Sequence, residues 1–322
     1  MKKYNLVSKQ VILAYIRSMR PYLFFVSGMA GYLGIVFSGT TAPAGKIIFV
    51  LCVAFFGWGV NQVINDLLGL EEDRINAPHR PLVTGALPIK SALLFSVFLF
   101  ALGGFITYIL NPQALILYFL IFILNIIYEY SKRIPLLGNF VFGLLLAPCV
   151  YYGAMCVNGK GLEILLDKKL LLLAIAIILI NVTVAFFTYY KDFIGDKITG
   201  KKTIIVQLTP NKAKYLNFLV SILPFTVILF LLYSPAWKEC MNLYFFSFMF
   251  LSFVILQYTA FLFFKKPQGS NTYYALKWNF RGAVLFETSF VALVNPLMAG
   301  VLYVVNFIVI GLLFNLHRDH LS

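Results

Sequence analysis

The chain has 322 residues, of which 61% are hydrophobic and only 12% are charged. A soluble domain carries about 25% charged residues, so this composition excludes a soluble globular protein. Apolar runs of about 20 residues recur along the chain, and each is long enough to cross the hydrocarbon core of a bilayer. The net charge of +14 does not indicate nucleic-acid binding, because the basic residues lie in short loops between apolar runs.

The apolar runs predict an all-α, polytopic membrane protein with about nine transmembrane helices. The ninth run is too long for one crossing and contains Pro296, so it is either one kinked helix or two helices. The predicted spans in chain order are 22–37, 47–68, 91–110, 113–130, 136–157, 170–190, 215–233, 243–264 and 283–316. Together they predict a single transmembrane domain that covers residues 1–322.

The basic residues predict the orientation. With nine crossings, 20 of the 26 Lys and Arg residues fall on the side of the N-terminus. The six on the other side are Lys46, Lys160, Lys168, Lys169, Lys238 and Arg318. Loops rich in Lys and Arg stay in the cytoplasm, which predicts a cytoplasmic N-terminus and a C-terminus on the opposite side. We expect an integral protein of a bacterial inner membrane or its equivalent.

Acidic residues cluster at the ends of two spans on the predicted cytoplasmic side. The first cluster follows span two, where Asp66 and Asp73 are seven residues apart and therefore share one helix face. Asn61 and Asn65 are four residues apart and adjoin that face. Carboxylates and amides at the end of a membrane helix are costly unless a cation or another partner occupies the site.

The second cluster follows span six, where Asp192 and Asp196 are four residues apart and again share one helix face. Mg²⁺ prefers one or two carboxylates together with waters and substrate phosphates. Two such helix ends facing each other are suited to hold one diphosphate through bridging metal, with nearby Lys and Arg neutralising the remaining charge. The plainer interpretation, solvated loops that end helices, explains one acidic pair better than two pairs on the same side.

These segments resemble the motifs of the UbiA superfamily of intramembrane prenyltransferases. The first motif of that family, NDxxDxxxD followed by a DRINAPHRP-like loop, is similar to residues 65–81. The second, DxxxD followed by GKKT, is similar to residues 192–203. A third similarity covers residues 128–139, where the family carries a basic residue that meets the diphosphate.

The resemblance implies Mg²⁺-dependent transfer of an isoprenyl group from an allylic prenyl diphosphate to a lipophilic acceptor within the bilayer, with an aromatic acceptor expected. The active site is expected to face the cytoplasm. The implied metal ligands are Asp66, Asp73, Asp192, Asp196 and Asn65. The implied substrate-binding residues are Asn61, Asn65, Arg80, Tyr128, Lys132 and Lys191. The four aspartates and Lys132 are the implied catalytic residues.

One position departs from the family pattern. The middle aspartate of the first motif, which the family counts among its metal ligands, is Gly69 in this chain. Asn65, Asp66 and Asp73 remain, and Glu72 or a water is expected to complete the metal shell. The glycine is expected to weaken metal binding or to alter the chemistry.

The group that takes the final proton from an aromatic acceptor is not evident from the sequence. Tyr128 and Glu129 are candidates, although we interpret Glu129 rather as an anchor at the membrane interface. Glu287 is a carboxylate within span nine, and we expect it either to take part in function or to pair with Arg281 or a basic group in a loop.

Two other functions remain open. A UbiA-type terpene cyclase ionises the same diphosphate and lets double bonds of the chain capture the cation, which Gly69 and the missing base favour. An ion-coupled transporter places its ionisable groups near the middle of the bilayer, whereas the acidic groups here cluster at one surface.

Overall fold

The computed structural model describes residues 8–232, 237 and 241–317, which form helices and connecting turns without a β-strand. We number the helices in chain order. They are α1 Lys9–Ser18, α2 Phe24–Phe37, α3 Ala44–Leu68, α4 Leu70–Asn76, α5 Pro81–Thr84, α6 Ile89–Leu110, α7 Leu115–Ser131, α8 Leu137–Asn158, α9 Lys168–Ile198, α10 Ile204–Leu208, α11 Pro210–Ala213, α12 Asn217–Leu232, α13 Leu243–Lys265, α14 Asn271–Val291 and α15 Pro296–His317.

Within this part of the chain, nine segments are long and apolar enough to cross a membrane, which confirms the predicted all-α membrane fold. The first eight predicted spans correspond to α2, α3, α6, α7, α8, α9, α12 and α13. The predicted end of the seventh span, at residue 233, lies outside the described residues. α9 is longer than its predicted span, because its helix continues to Ile198.

The predicted ninth span, 283–316, is two helices. α14 begins at Asn271 and ends at Val291, and α15 begins at Pro296. Pro296 stands at the first position of α15, where a proline is favoured because its missing N–H has no helical partner in any case. Lys277, Arg281 and Glu287 make α14 more polar than its neighbours, and the prediction therefore placed its first half in a loop.

α15 returns the chain to the end of the bundle at which α2 begins. The ring of Phe314 lies 4.7 Å from the ring of Tyr22, and the ring of His317 lies 5.3 Å from it. α15 is one of the nine segments that are long and apolar enough to cross a membrane, whereas α14 is not. Because α15 ends beside the start of α2, the predicted C-terminus on the opposite side is wrong for the last described residue. Four basic residues used for the orientation lie outside the described residues, namely Lys2, Lys3, Lys238 and Arg318.

The centre of the bundle is held by a close crossing of α2 and α8. A Cβ atom on Gly34 would overlap the backbone carbonyl of Val150, and one on Gly153 would overlap the backbone carbonyl of Gly31. Small residues let membrane helices approach backbone to backbone, where van der Waals contact replaces the missing hydrophobic driving force. α8 packs in turn on α7 and α9, and these two helices carry many of the predicted site residues.

Candidate active site

The first acidic segment is a broken helix. α3 ends at Leu68, Gly69 adopts φ −98° and ψ 25°, and α4 follows directly. Asp66 and Asp73 therefore lie on two helices, although the spacing predicted one. Both carboxylates nevertheless line the same cleft, and the two residues are only 4% and 9% exposed.

Two arginines hold this first pair of carboxylates. The Nη2 atom of Arg20 lies 2.6 Å from Oδ1 of Asp66, and Nε2 of Gln62 donates to the same oxygen at 2.8 Å. Nη1 of Arg80 pairs with Asp73 and lies 3.6 Å from Oδ1 of Asp66. Burial raises the pKa of the Asp73 carboxyl, against the lowering effect of the Arg80 guanidinium. One guanidinium thus bridges the two predicted metal ligands.

The second acidic pair lies on the uninterrupted helix α9, as predicted. Asp192 and Asp196 both line the cleft from one face of that helix. The Nζ atom of Lys191 lies 3.6 Å from Oδ1 of Asp192 and 5.5 Å from the ring centre of Tyr273. Asp196 is 2% exposed, and its Oδ2 atom has no hydrogen-bond partner among the described residues. A buried carboxylate oxygen without a partner is costly, and a cation would relieve that cost.

Asn76 joins the two acidic segments. Its Nδ2 atom donates to the backbone carbonyl of Asp192 at 3.0 Å, and its Oδ1 atom accepts from the backbone N–H of Gly195 at 2.8 Å. A Cβ atom on Gly195 would overlap the Asn76 amide, so only glycine leaves room for this contact. The last residue of α4 therefore fixes the distance between the two halves of the site.

A cluster of two glutamates and two lysines closes a third side of the cleft. Nζ of Lys132 lies 2.6 Å from Oε2 of Glu129 and 4.6 Å from the ring centre of Tyr128. Nζ of Lys201 pairs with the other carboxylate oxygen of Glu129 and lies 3.1 Å from Oε1 of Glu72. The interpretation of Glu129 as an interfacial anchor is wrong, because the residue is 6% exposed and bridges two lysines inside the cleft.

Backbone contacts place these lysines. The N–H of Lys202 donates to the carbonyl of Lys132 at 2.9 Å, and the N–H of Lys201 donates to the carbonyl of Asp196 at 2.8 Å. The chain after α9 thus folds back against the end of α7. Burial opposes the positive charge of Lys132, but the carboxylates of Glu129 and Asp196 hold its pKa above the ordinary value. This lysine therefore presents a permanent charge in the cleft.

All predicted site residues line one cleft of about 1030 Å³, a volume that includes the space open to solvent. Six carboxylates and five basic side chains face it, so that its own charges nearly balance. The carboxylates belong to Asp66, Glu72, Asp73, Glu129, Asp192 and Asp196, and the basic groups to Arg20, Arg80, Lys132, Lys191 and Lys201. A diphosphate entering this cleft adds negative charge that a divalent cation would balance.

The donor set fits such a cation. Carboxylate and amide oxygens are the ligands that Mg²⁺ prefers. The Oδ1 atoms of Asn61 and Asn65 are buried in the cleft wall without a hydrogen-bond partner, like Oδ2 of Asp196. In the described part of the chain no three His, Cys, Asp or Glu side chains form a ready-made metal cluster, and the carboxylates are paired with arginines and lysines.

An apolar chamber adjoins the cleft on the membrane side. It measures about 570 Å³ and shares Trp58, Asn61 and Leu145 with the cleft. Helices α2, α3, α6, α7 and α8 form its walls, and the other lining residues are Ser27, Val53, Ala54, Gly57, Val60, Phe100, Tyr118, Ile121, Leu146, Cys149 and Tyr152. A charged cleft joined to an apolar chamber suits a molecule with a charged head and a hydrocarbon tail.

Glu287 does not belong to this cleft. It is fully buried on α14, and Nδ2 of Asn181 lies 3.4 Å from its Oε1 atom. Arg281, its predicted alternative partner, instead donates from Nε to the backbone carbonyl of Phe307 at 2.9 Å. The predicted pairing with Arg281 is therefore wrong, while the expectation of a functional role stays a prediction.

Four cleft residues were not predicted as site residues, namely Arg20, Gln62, Asn76 and Lys201, and their signals in the sequence differ. Lys201 stands in the GKKT stretch and Asn76 in the DRINAPHRP-like loop that carried the resemblance, so for both the signal was present. Arg20 precedes the first span, where a basic residue looks like an ordinary orientation signal. Gln62 lies one residue after the predicted Asn61, and only the helix geometry shows that it reaches Asp66.

The chain is similar to known prenyltransferases. Residues 24–281 match the model of the UbiA prenyltransferase family. The chain is 30% identical over 230 residues to digeranylgeranylglyceryl phosphate synthase of Pyrococcus furiosus, which covers 69% of this chain and 80% of that protein. It is 33% identical over 212 residues to the protein of the same name from Thermococcus kodakarensis, covering 65% and 74%.

Solved structures share the fold. A UbiA homolog from Aeropyrum pernix in its apo form gives a TM-score of 0.68 at 18% identity, covering 84% of this chain and 97% of that one. A UbiA homolog from Archaeoglobus fulgidus bound to GPP and Mg²⁺ gives 0.58 at 18% identity, covering 84% and 99%. The family match covers most of the chain, and the helical fold agrees with it. This chain belongs to the UbiA prenyltransferase family and is a prenyltransferase of the membrane.

Proposed function

We propose that this protein transfers a geranylgeranyl-type isoprenyl group from its diphosphate to a hydroxyl of a glycerophosphate lipid, with Mg²⁺ in the charged cleft. The observation that carries the proposal is the junction of that cleft with the apolar chamber at Trp58, Asn61 and Leu145. A prenyl diphosphate has the same two parts, a highly charged head and a hydrocarbon tail. The head belongs in the cleft and the tail in the chamber.

In this proposal the carboxylates and the basic groups have different tasks. Mg²⁺, when bound, would supply stabilisation of the negative charge that builds on the departing diphosphate. The residues that would hold it are Asp66, Asp73, Asp192, Asp196 and Asn65, with Asn61 and Tyr128 in contact with substrate. The basic groups that bind the diphosphate are Arg80, Lys132 and Lys191, joined by Arg20 and Lys201. Fixed charges that meet developing charge contribute strongly to catalysis in a dry site.

The chemical step exchanges one C–O bond for another. The bond from C1 of the allylic group to the diphosphate breaks, and its electron pair leaves with the diphosphate. The acceptor oxygen forms the new bond to C1, and the hydroxyl proton passes to a basic oxygen in the cleft. Water that reached the allylic carbon would capture it in place of the acceptor. The apolar chamber excludes water and so protects the reacting carbon.

The acceptor differs from the one expected at first. The relatives in Pyrococcus furiosus and Thermococcus kodakarensis are named for a product that carries geranylgeranyl groups on glyceryl phosphate. Such an acceptor is not aromatic, so the proton that must be removed comes from its hydroxyl and not from a ring carbon. A carboxylate oxygen of the cleft or the departing diphosphate can take that proton, and a separate base is not required. We therefore propose a glycerophosphate lipid in place of an aromatic compound.

The test is a product analysis with purified protein in detergent. Geranylgeranyl diphosphate is incubated with Mg²⁺ and either geranylgeranylglyceryl phosphate, an aromatic acceptor such as 4-hydroxybenzoate, or no acceptor. We expect digeranylgeranylglyceryl phosphate and one diphosphate per turnover in the first reaction, and no product after chelation with EDTA. Prenylation of the aromatic compound alone would contradict the acceptor assignment, and a cyclic hydrocarbon without acceptor would indicate a cyclase.

We also propose that the cleft faces the cytoplasm, as the excess of basic loops predicts. Lys202 lies beside the cleft, whereas Lys160 lies at the opposite end of the bundle, after α8. Single cysteines at these two positions are to be labelled in intact cells with a reagent that does not cross membranes. We expect labelling at position 160 only, and labelling at position 202 alone would reverse the orientation.

A further inference from the structure

The family motif lacks one carboxylate in this chain, at Gly69, and the backbone does not explain why. A φ of −98° and a ψ of 25° are open to any residue, so no positive φ demands glycine here. The nearest side chains are two carboxylates. A Cβ atom on Gly69 would lie 3.4 Å from the backbone carbonyl of Asn65, 3.4 Å from Oε1 of Glu129 and 3.6 Å from Oε2 of Glu72, which are ordinary contact distances. Carboxylate oxygens from two other positions therefore stand beside the place of the missing aspartate.

We propose that Glu129, reaching in from α7, supplies to the metal the carboxylate that Gly69 lacks. The carboxylate oxygens of an aspartate lie only two bonds beyond its Cβ. Glu129 Oε1 therefore stands in the region that an aspartate at position 69 would fill. This inference rests on the proposed function, since it assumes that the cleft binds a divalent cation with a diphosphate.

The burial and partners of Glu129 support this assignment. The side chain is 7% exposed at the end of a membrane helix, where an ionised carboxylate is costly without compensation. Lys132 and Lys201 each bind one of its oxygens, and both lysines line the cleft. Oδ2 of Asp196 lines the same cleft and has no hydrogen-bond partner among the described residues. This is an independent sign that the cleft is suited to bind a cation.

Glu72 is the alternative source of the carboxylate. It stands within the motif itself, but its side chain is twice as exposed as that of Glu129, at 15% against 7%. Its oxygen is also slightly farther from the Gly69 position. The two glutamates share Lys201, so the experiment must separate them.

The experiment is a rescue measured by metal binding. Affinity for Mn²⁺, a paramagnetic substitute for Mg²⁺, is measured by electron paramagnetic resonance on purified protein with inorganic pyrophosphate. The variants are Glu129→Gln, Glu72→Gln, Gly69→Asp, Gly69→Asp combined with each glutamine variant, and Gly69→Ala combined with Glu129→Gln. Glu71→Gln is the matched control, because Glu71 is exposed and lies outside the cleft lining.

We expect Glu129→Gln to weaken Mn²⁺ binding about tenfold or more, the range seen when a supporting ligand of a metal site is lost. Adding Gly69→Asp should restore the affinity to within about threefold of the starting protein, because the new carboxylate replaces the negative charge removed beside Gly69. Gly69→Ala combined with Glu129→Gln should not restore it, since alanine brings the Cβ atom without the charge.

Three results would overturn the proposal. Unchanged Mn²⁺ affinity in Glu129→Gln, with a higher KM for the prenyl diphosphate, would mean that Glu129 only positions the two lysines. A loss that Gly69→Asp does not restore would mean that the two positions are not equivalent. A restorable loss in Glu72→Gln instead would assign the role to Glu72. If the unmodified protein neither binds Mn²⁺ nor consumes prenyl diphosphate, the proposed function itself fails, and thermal unfolding identifies any variant that does not fold.

Discussion

The two halves of the charged cleft are built in different ways. On α9, Asp192 and Asp196 sit on one unbroken helix, and four residues of spacing are enough to align them. On the other side, Asp66 and Asp73 lie on two helices separated by Gly69. That half depends on side chains from elsewhere in the chain, above all Arg20 and Arg80, to hold its carboxylates together.

This difference separates the carboxylates that a continuous helix aligns by itself from those that tertiary contacts must align. The α9 pair needs only a continuous backbone, because one face of a helix aligns residues four apart. Where Gly69 interrupts the helix, the alignment is restored by one arginine that contacts both carboxylates and by Asn76, which ties α4 to α9. The following variants test this distinction, from the largest expected effect to the smallest.

The largest effect is expected at the α9 pair. Asp192→Asn and Asp196→Asn should each lower kcat for prenyl transfer at least about 100-fold, because each removes a charge that meets the developing charge of the reaction. Product formation is measured by mass spectrometry. Asp167→Asn is the control on the same helix, since asparagine caps a helix as well as aspartate does and residue 167 lies at the far end. Activity above a tenth of the starting value in both site variants would contradict these roles.

The α9 pair is also the part of the site that the sequence predicted best. Three features predicted it, namely its spacing, its position after an apolar span and its basic neighbours. All three belong to the local sequence, and folding does not change them. The broken half was predicted less well. Asp66 and Asp73 do share the cleft, but the helix break at Gly69 depends on how α3 and α4 pack, which spacing alone does not express.

The remaining errors of prediction have two causes. Glu129 resembled an interfacial residue because its sequence neighbours are apolar and aromatic. Its pairing with Lys201, 72 residues further along the chain, is a tertiary contact that local sequence does not express. The start of α14 was missed for a local reason, because its lysine and arginine made the first half of the helix resemble a loop.

Gly195 is expected to produce the second largest effect. Gly195→Ala places a Cβ atom on the Asn76 amide and should separate α4 from α9. A shift of this kind should lower kcat about tenfold to a hundredfold, because small misplacements of reacting groups are costly. Gly104→Ala is the control, since its Cβ atom would meet only Tyr118 at an ordinary 3.6 Å.

A double substitution makes the Gly195 prediction specific. Asn76→Ala removes the amide that the new methyl group strikes, so Gly195→Ala should have little further effect in that background. Steady-state kinetics of the two single variants and the double variant form a complete cycle. If the two losses simply multiply, Gly195 does not act through Asn76.

The apolar chamber is expected to give a smaller effect, on selectivity rather than on chemistry. Gly57 lines the chamber, and no atom lies within 4 Å of the position of a Cβ there. Gly57→Leu should fill the chamber and lower kcat/KM for geranylgeranyl diphosphate about tenfold more than for dimethylallyl diphosphate. Gly45→Leu has equal space on the same helix but lies at the exposed end, outside the chamber. Equal losses for both diphosphates would remove the chamber as the tail site.

The smallest effect is expected at Arg20, and it directly tests the half of the cleft that contains Asp66 and Asp73. Arg20→Ala removes the guanidinium 2.6 Å from Asp66, while Gln62 and Arg80 keep their contacts with the same carboxylate. We expect Tm to fall by a few degrees, because a buried ion pair that loses one partner leaves an uncompensated charge. Turnover should fall less than about tenfold, since the other basic groups of the cleft remain.

The change of Tm on addition of Mg²⁺ tests whether Arg20 acts on the carboxylate of Asp66 or only supports helix packing. Removing a positive charge beside Asp66 strengthens the attraction of the site for a cation, so one fixed concentration of Mg²⁺, given without pyrophosphate, should raise Tm more in Arg20→Ala than in the starting protein. Arg17→Ala, an exposed position in the last turn of α1, should show no such difference. If Mg²⁺ raises Tm equally in all three proteins, Arg20 supports the helix packing alone. A larger rise in Arg20→Ala means that arginine and metal act on the same carboxylate, that of Asp66. The two carboxylates of α9, in contrast, are aligned by one continuous helix without an arginine from another segment.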